Sequence, residues 1–349
     1  MNKAGTILLL AAGHGLNDLL AGYFLGSIVQ TPQDITKAGL SLLVYNLLAF
    51  GGQYPVALWL EKYFEPRLFL IGAYALNVMA ALFFTSSPSL SVVMMGVASA
   101  VYHVAGGTVC ANENKAFNIG LFAAPGVAGL IAGGYFAWQE FQLALQLQAA
   151  AVLFLLLLLI IKLNTGSVTE RKTVKADTVL PDRHDMVMIL LLTVISLRSA
   201  IWNIFQLVHE KEYEWLIAIA VAAFAGKIIG GWLADRLGWH LYIYISLVTA
   251  LPLLTFFKNE MFLFCTGVGL LQSGIPASTA LLIKSVKGKT ARGISLSFGV
   301  AIIAGAVVFC LPPGIYSDQM PLLSWITLFI VILMLVIMFL VKKKTGFKV

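Results

Sequence analysis

The chain has 349 residues, of which 60% are hydrophobic and only 11% charged. Soluble domains carry about 25% charged residues, so this composition excludes an ordinary soluble enzyme and points to a membrane protein. The net charge of +7 is not gathered on one soluble face, which argues against a nucleic-acid binder, and Cys110, Cys265 and Cys310, all in apolar runs, give neither a disulfide framework nor a zinc spacing.

Hydropathy predicts twelve apolar spans, over 4–30, 36–60, 67–86, 89–112, 115–138, 141–163, 186–208, 214–234, 239–257, 260–283, 292–313 and 320–341. Most reach the roughly 20 residues that a helix needs to cross ~30 Å of hydrocarbon. They do not suit the ~10-residue alternating strands of a membrane β-barrel. The first span is too long for a cleaved signal and carries His14, Asn17 and Asp18, so it is expected to be retained. These three stand at i, i+3 and i+4 and share one helix face. Asp18 lies at mid-span, where a charge costs at least about 2.5–3.5 kcal/mol and normally faces a partner or a polar pathway. Asp18 is therefore expected to load and release a proton, with His14 and His103 of span 4 as relay or substrate-contact groups. A static ion pair of Asp18 with Arg198 or Lys227 is one alternative. A divalent-metal site of His14, Asp18 and His103 is another, although spacing does not fix the three around one ion. The expectation adopted is proton coupling with no metal.

In span 2, Asn46 and Gln53 share a face. Span 5 reads Gly120-Leu-Phe-Ala-Ala-Pro125-Gly126-Val-Ala-Gly129-Leu-Ile-Ala-Gly133-Gly134. Glycines at this spacing allow helices from the two halves to touch closely, and Pro125 permits a bend, so Pro125 and Gly126 are expected to serve gating. Span 7 carries Arg198 at mid-span, one turn before Trp202 and near Ser199, Asn203 and Gln206. A guanidinium facing a cavity can hold a carboxylate or phosphate bidentately. In span 8, Lys227 lies close enough to the basic end to snorkel. Gln272, Pro276 and Thr279 share a face of span 10. The expected substrate contacts are Asn17, Asn46, Arg198, Trp202, Asn203 and Gln272. No phosphate loop, zinc signature or Gly-x-Ser-x-Gly elbow is present, so no enzyme activity and no cofactor are expected.

Alternate connections hold 18 Lys and Arg residues against 3 on the other side. That bias predicts both termini and the central loop in the cytoplasm. The long polar connection 164–185 divides six spans from six, giving halves 1–163 and 186–349. The halves resemble each other: 96–108 has the spacing of 267–279, and Gly126-Val-Ala matches Gly299-Val-Ala at nearly the same offset. Two such halves are expected to hold a substrate between them at mid-membrane.

The string Gly231-Trp-Leu-Ala-Asp235-Arg236-Leu-Gly238-Trp239 ends span 8. It resembles the signature loop of the major facilitator superfamily, G-x-L-A-D-R-x-G-R, with Trp239 in place of the last Arg. The resemblance implies that Gly231 allows close helix approach and that Asp235 and Arg236 form a charge latch on the cytoplasmic side. At the matching place in the first half, 57–67, only acid–base character survives, in Glu61, Lys62, Glu65 and Arg67. The Pro125-Gly126 stretch is similar to the fifth-helix motif of the superfamily's drug/proton antiporters, with Ala124 where that motif has Gly. His14-Gly-Leu-Asn17-Asp18, together with Gly96-Val-Ala-Ser-Ala-Val-Tyr-His103, resembles the fosmidomycin-resistance group of that superfamily. Val104-Ala105 replace the Pro-Glu expected there. These resemblances imply an all-α membrane protein with twelve transmembrane helices in two pseudo-symmetric six-helix halves. They also imply a secondary active transporter working by alternating access in a plasma membrane, with proton-coupled export of a small organic solute as the favoured activity. Uptake or facilitated diffusion of a small anionic metabolite or metal ion is a second reading, and a non-transporting receptor on a carrier fold a third. The expected partners are a small-molecule substrate, protons and the lipid bilayer, with no nucleic acid and a monomeric chain.

Overall fold

Long apolar runs in lipid must satisfy their backbone groups internally, and a helix does this residue by residue. The computed structural model describes all residues except 31–34, 64, 165–182, 209–212, 287–288, 307–324, 327 and 338–349. Among the described residues the regular elements are helices, and they fall into twelve rods. The first is α1 (Lys3–Gln30). The second joins α2 (Ile35–Asn46) and α3 (Gln53–Tyr63) through a π-helical turn at Leu47–Gly51. Then follow α4 (Pro66–Phe83), α5 (Pro88–Ala111), α6 (Ala116–Trp138), α7 (Ala144–Ile160), α8 (Arg183–Val208), α9 (Tyr213–Leu237) and α10 (Trp239–Phe256). The tenth rod is α11 (Met261–Ser273) and α12 (Ile275–Ser285). The eleventh is α13 (Thr290–Ser295), a π turn at Leu296–Val300, and α14 (Ala301–Gly305). The last is α15 (Leu328–Ile337). Eight of the rods are long and apolar enough to cross a membrane. The first ten match the predicted spans to within 3 residues at either end. The outer ends of the last two spans, most of the 164–185 connection and Cys310 lie outside the described residues.

Local chemistry sets the boundaries. Pro66 and Pro88 open α4 and α5, where a missing N–H costs nothing. Gly238 sits at φ +90° between α9 and α10, a conformation that a Cβ would strain. Pro276 carries no N–H to continue the α11 ladder, and the rod breaks at Gly274. Many large apolar side chains face outward: Phe262 is 82% exposed and Ile160 is 80% exposed. Apolar surface on this scale suits contact with lipid rather than water.

Inside, one apolar cluster is built almost wholly from residues 187–337, and a second from residues 20–151. A third joins Ile7, Leu70, Tyr102 and Phe122 to Ala280, Ile283, Ile294 and Phe298. Of the span-5 glycines, Gly120 makes the expected close contact with the second half, and the others do not. A Cβ on Gly129 would strike the Gly15 carbonyl, and one on Gly133 the Leu19 carbonyl, so these pack α6 against α1. Gly120 meets the Lys227 carbonyl of α9 instead. The reason is helical phase. Positions 126, 129 and 133 share a face, whereas 120 lies roughly a third to half a turn away.

Candidate functional site

The α1–α6 contact brings the polar stripe of α1 against α5. His14, Asp18 and His103 are all buried, and their nitrogens and carboxylate converge. His14 Nε2 lies 2.9 Å from His103 Nε2 and 3.3 Å from Asp18 Oδ2, and His103 Nε2 is 3.9 Å from the same oxygen. His14 Nδ1 is 2.7 Å from the Phe122 carbonyl oxygen, and His103 Nδ1 is 2.7 Å from that of Ser99. The Phe122 ring stacks on His14 at 4.5 Å between centroids. Asn17 donates its amide to Asp18 Oδ1 at 2.8 Å, and Asn77 donates to Asn17 at 2.8 Å. Tyr74 and Tyr102 donate their hydroxyls to the Gly13 and Leu10 carbonyls and clamp α1 from outside the triad. Gly126 of α6 closes the triad on another side: a Cβ there would come within 2.5 Å of His14 Nε2 and 2.6 Å of Asp18 Oδ2. Expected as a gating residue, Gly126 packs directly on the proposed proton site.

Arg198 on α8 is fully buried. One of its amino groups donates to Ser278 Oγ at 3.3 Å, while Nε and the other amino group have no partner among the described residues. Its guanidinium lies against Gly274, at the break that begins α12. The alternative reading of a static Asp18–Arg198 ion pair is not met in this conformation, where Asp18 lies beside His14 and His103. Lys227 is also buried, and forms no ion pair with Asp18. Trp202 is half-buried in the apolar cluster of residues 187–337. Asn203 and Gln272 are buried. Thr279 shares a 2.6 Å hydrogen bond with Ser297. Asn46 is exposed and bonds its own helix at the Leu42 carbonyl. Gln53 donates to the Ala49 and Phe298 carbonyls, both at 3.0 Å, and so bridges the second and eleventh rods. The Gln206 side chain lies outside the described residues.

At the basic end of the bundle, Asp235 accepts from the backbone N–H groups of Ala116 and Phe117, both at 2.9 Å. It thereby caps the N-terminus of α6 from α9, where a helix dipole favours negative charge. Trp239, in the place of the motif's last Arg, also donates its indole N–H to Asp235 at 2.8 Å, and Lys284 sits 3.9 Å over the Trp239 ring. Arg236, named with Asp235 in the expected charge latch, lies 3.8 Å over the Trp232 ring. Gly231 packs on Ala116 and Phe117, at the same contact. A second tie joins Glu61 to Arg292 at 2.7 Å across 231 positions of sequence. Outside the spans, Glu113 bonds Asn118 and pairs with Lys3; the Asn118 amide is the main cause holding its carboxyl below the usual range.

These ties hold residues 61 and 116–117 to residues 292 and 235 at the basic end. Asp235→Ala should weaken that hold by about 1 kcal/mol, the usual worth of a helix cap, a roughly fivefold shift in population. A cysteine at Ser295, one turn beyond Arg292 and fully buried, is the reporter. It should react faster with a water-soluble maleimide in the Asp235→Ala background. An unchanged rate would reduce the Gly231–Gly238 string to a turn.

No protein-family model and no curated protein matches the sequence. Solved structures do match in shape. The E. coli fucose:proton symporter superposes with a TM-score of 0.71 at 15% identity, covering 99% of this chain and 100% of that one. A second structure of the same protein, described as a major facilitator superfamily transporter in the outward conformation, gives 0.69 at 15% identity, over 98% of this chain and 97% of its own. A bacterial homologue of the iron transporter ferroportin, in an outward-facing state, gives 0.60 at 15% identity, over 98% and 99%. Coverage is essentially complete, and at this identity the likeness speaks for the fold: the chain has the all-helical fold of major facilitator superfamily transporters.

Proposed function

We propose that the protein is a secondary active transporter that moves a small organic solute across a membrane by alternating access, coupled to protons, with export as its direction. One observation carries the reading. Two groups of opposite charge, Asp18 and Arg198, are buried mid-helix, and neither neutralises the other. A purely structural pair would have joined them, since an unpaired buried charge is costly. Asp18 between two imidazoles offers a place for a proton. Arg198 offers unpartnered donors beside the N-terminus of α12, which favours a carboxylate or phosphate on the solute.

Halves 1–163 and 186–349 would rock about this region, with 164–185 between them. The Asp235 and Glu61–Arg292 ties would break on opening to the basic side. The 18-to-3 basic bias supports cytoplasmic termini in a plasma membrane. Export is supported by the Pro125-Gly126 resemblance. The fosmidomycin-resistance likeness rests on two short stretches and fixes no substrate.

The test is counterflow. Purified protein in proteoliposomes should exchange at least one labelled organic anion saturably, chosen from those that raise its unfolding temperature. Thermal stabilisation by an anion without any flux of it would favour the receptor reading.

A further inference from the structure

The tautomers of the two triad histidines are fixed by their partners. A carbonyl oxygen only accepts hydrogen bonds, so the Nδ1 atoms of His14 and His103, each 2.7 Å from one, both carry the hydrogen. In the neutral rings both Nε2 atoms are then bare lone pairs. They meet at 2.9 Å, and both also face the Asp18 carboxylate. Three electron-pair donors thus converge with no hydrogen of their own between them. One proton bridges a single edge of this triangle and leaves the third donor against the other two. A cation that accepts several electron pairs satisfies all three.

The dimensions agree. A triangle with sides of 2.9, 3.3 and 3.9 Å has its centre about 2.0 Å from each corner, the distance of zinc from imidazole nitrogen and carboxylate oxygen. The ring centroids are 4.4 Å apart with planes at 82°, too close for two lone pairs opposed head-on. Each ring also donates its other N–H to a backbone carbonyl, and Asp18 Oδ1 is held by Asn17, which is held by Asn77. Outer contacts of this kind orient the ligands of metal sites. Two imidazoles and one carboxylate suit a borderline divalent ion and leave a fourth position open, whereas calcium and magnesium prefer oxygen alone.

We propose that His14, Asp18 and His103 form a three-ligand binding site for a divalent transition-metal ion of zinc-like preference, at the position where the proton is loaded. This deepens the proposed function, on which it rests for the competition between metal and proton. Metal binding itself stands on geometry and is tested at equilibrium, without transport.

The experiment titrates the full chain, purified in detergent, with Co2+ as a visible probe and Zn2+ as competitor. The expected result is one Co2+ per chain with ligand-field absorption, displaced by Zn2+ and weakened as pH falls, because the imidazoles must be unprotonated. His14→Gln and His103→Gln should each weaken binding by about 100-fold or more, beyond what loss of an outer contact costs. If either variant fails to fold, X-ray absorption of zinc bound to the parent decides, and it should show two imidazoles and no sulfur. Absence of saturable binding, a zinc shell without imidazole, or affinity unchanged in both variants overturns the proposal. Metal binding in a chain that moves neither solute nor protons would sustain this site while the transport reading fails. Proton-coupled transport without metal binding would do the reverse.

Discussion

Asp18→Asn should abolish proton-driven accumulation of the solute while leaving exchange of labelled for unlabelled solute measurable. Asparagine has the shape of aspartate and keeps an oxygen to accept the Asn17 amide. Its own amide can donate to His14 Nε2, so the packing of α1 on α5 and α6 survives. What it loses is the negative charge that draws a proton to the triad. Coupling should therefore fail while binding and the rocking step remain, and accumulation should fall to the equilibrium level. Uphill transport equal to the parent's would show that the proton travels elsewhere. Gly126 sharpens the claim, because its missing side chain is what lets α6 touch both His14 and Asp18. Gly126 reads from the sequence as a gating residue, and its contact with the triad appears only once α1 and α6 are packed.

Arg198→Ala should abolish solute binding, and Arg198→Lys should weaken it by roughly tenfold, since lysine keeps the charge but loses the planar fork. Stability should move the other way. Two of the three guanidinium nitrogens are buried without partners, and such an arrangement costs free energy that a well-filled apolar side chain does not. Arg198→Met should thus unfold at an equal or higher temperature than the parent in the absence of solute, while binding none of it. This is the usual sign of a group kept for function at the expense of stability. Should Arg198→Ala bind with parent affinity, or Arg198→Met be strongly destabilised, the residue is structural and the anionic-solute claim falls with it.

The rods were legible because a bilayer imposes a length: ten predicted spans fall within 3 residues of the observed helices. Interruptions inside them were not read: span 260–283 was expected to be continuous, although Gly274 and Pro276 stand at the break between α11 and α12. The π turns at Leu47–Gly51 and Leu296–Val300 contain nothing that distinguishes them from continuous helix, yet they meet across the bundle through Gln53 and Phe298. Two of the three triad residues were readable together, because i and i+4 place His14 and Asp18 on one face. His103 entered through resemblance, and its juxtaposition depends on how α5 packs against α1. Asn77 and the carbonyls of Ser99 and Phe122, which fix the charge and tautomers, leave no mark in spacing. Asp235 was readable as a latch, but its partners are backbone N–H groups of α6, which no side-chain pattern reveals. Arg292 was missed because its partner Glu61 is 231 positions away. Asn46, placed on a polar face of span 2, turns its amide back onto its own helix, and only the neighbouring rods decide which polar residues such a face presents to a cavity.

If the triad carries the coupled proton, solute flux and proton flux must be linked through Asp18. A pH-sensitive dye sealed in proteoliposomes tests it most directly, with a solute gradient imposed across the membrane and no initial pH difference. The parent protein should give a solute-dependent pH change, and Asp18→Asn none although exchange persists. Solute flux by the parent without any pH change, or a parent-sized pH change in the variant, would contradict it.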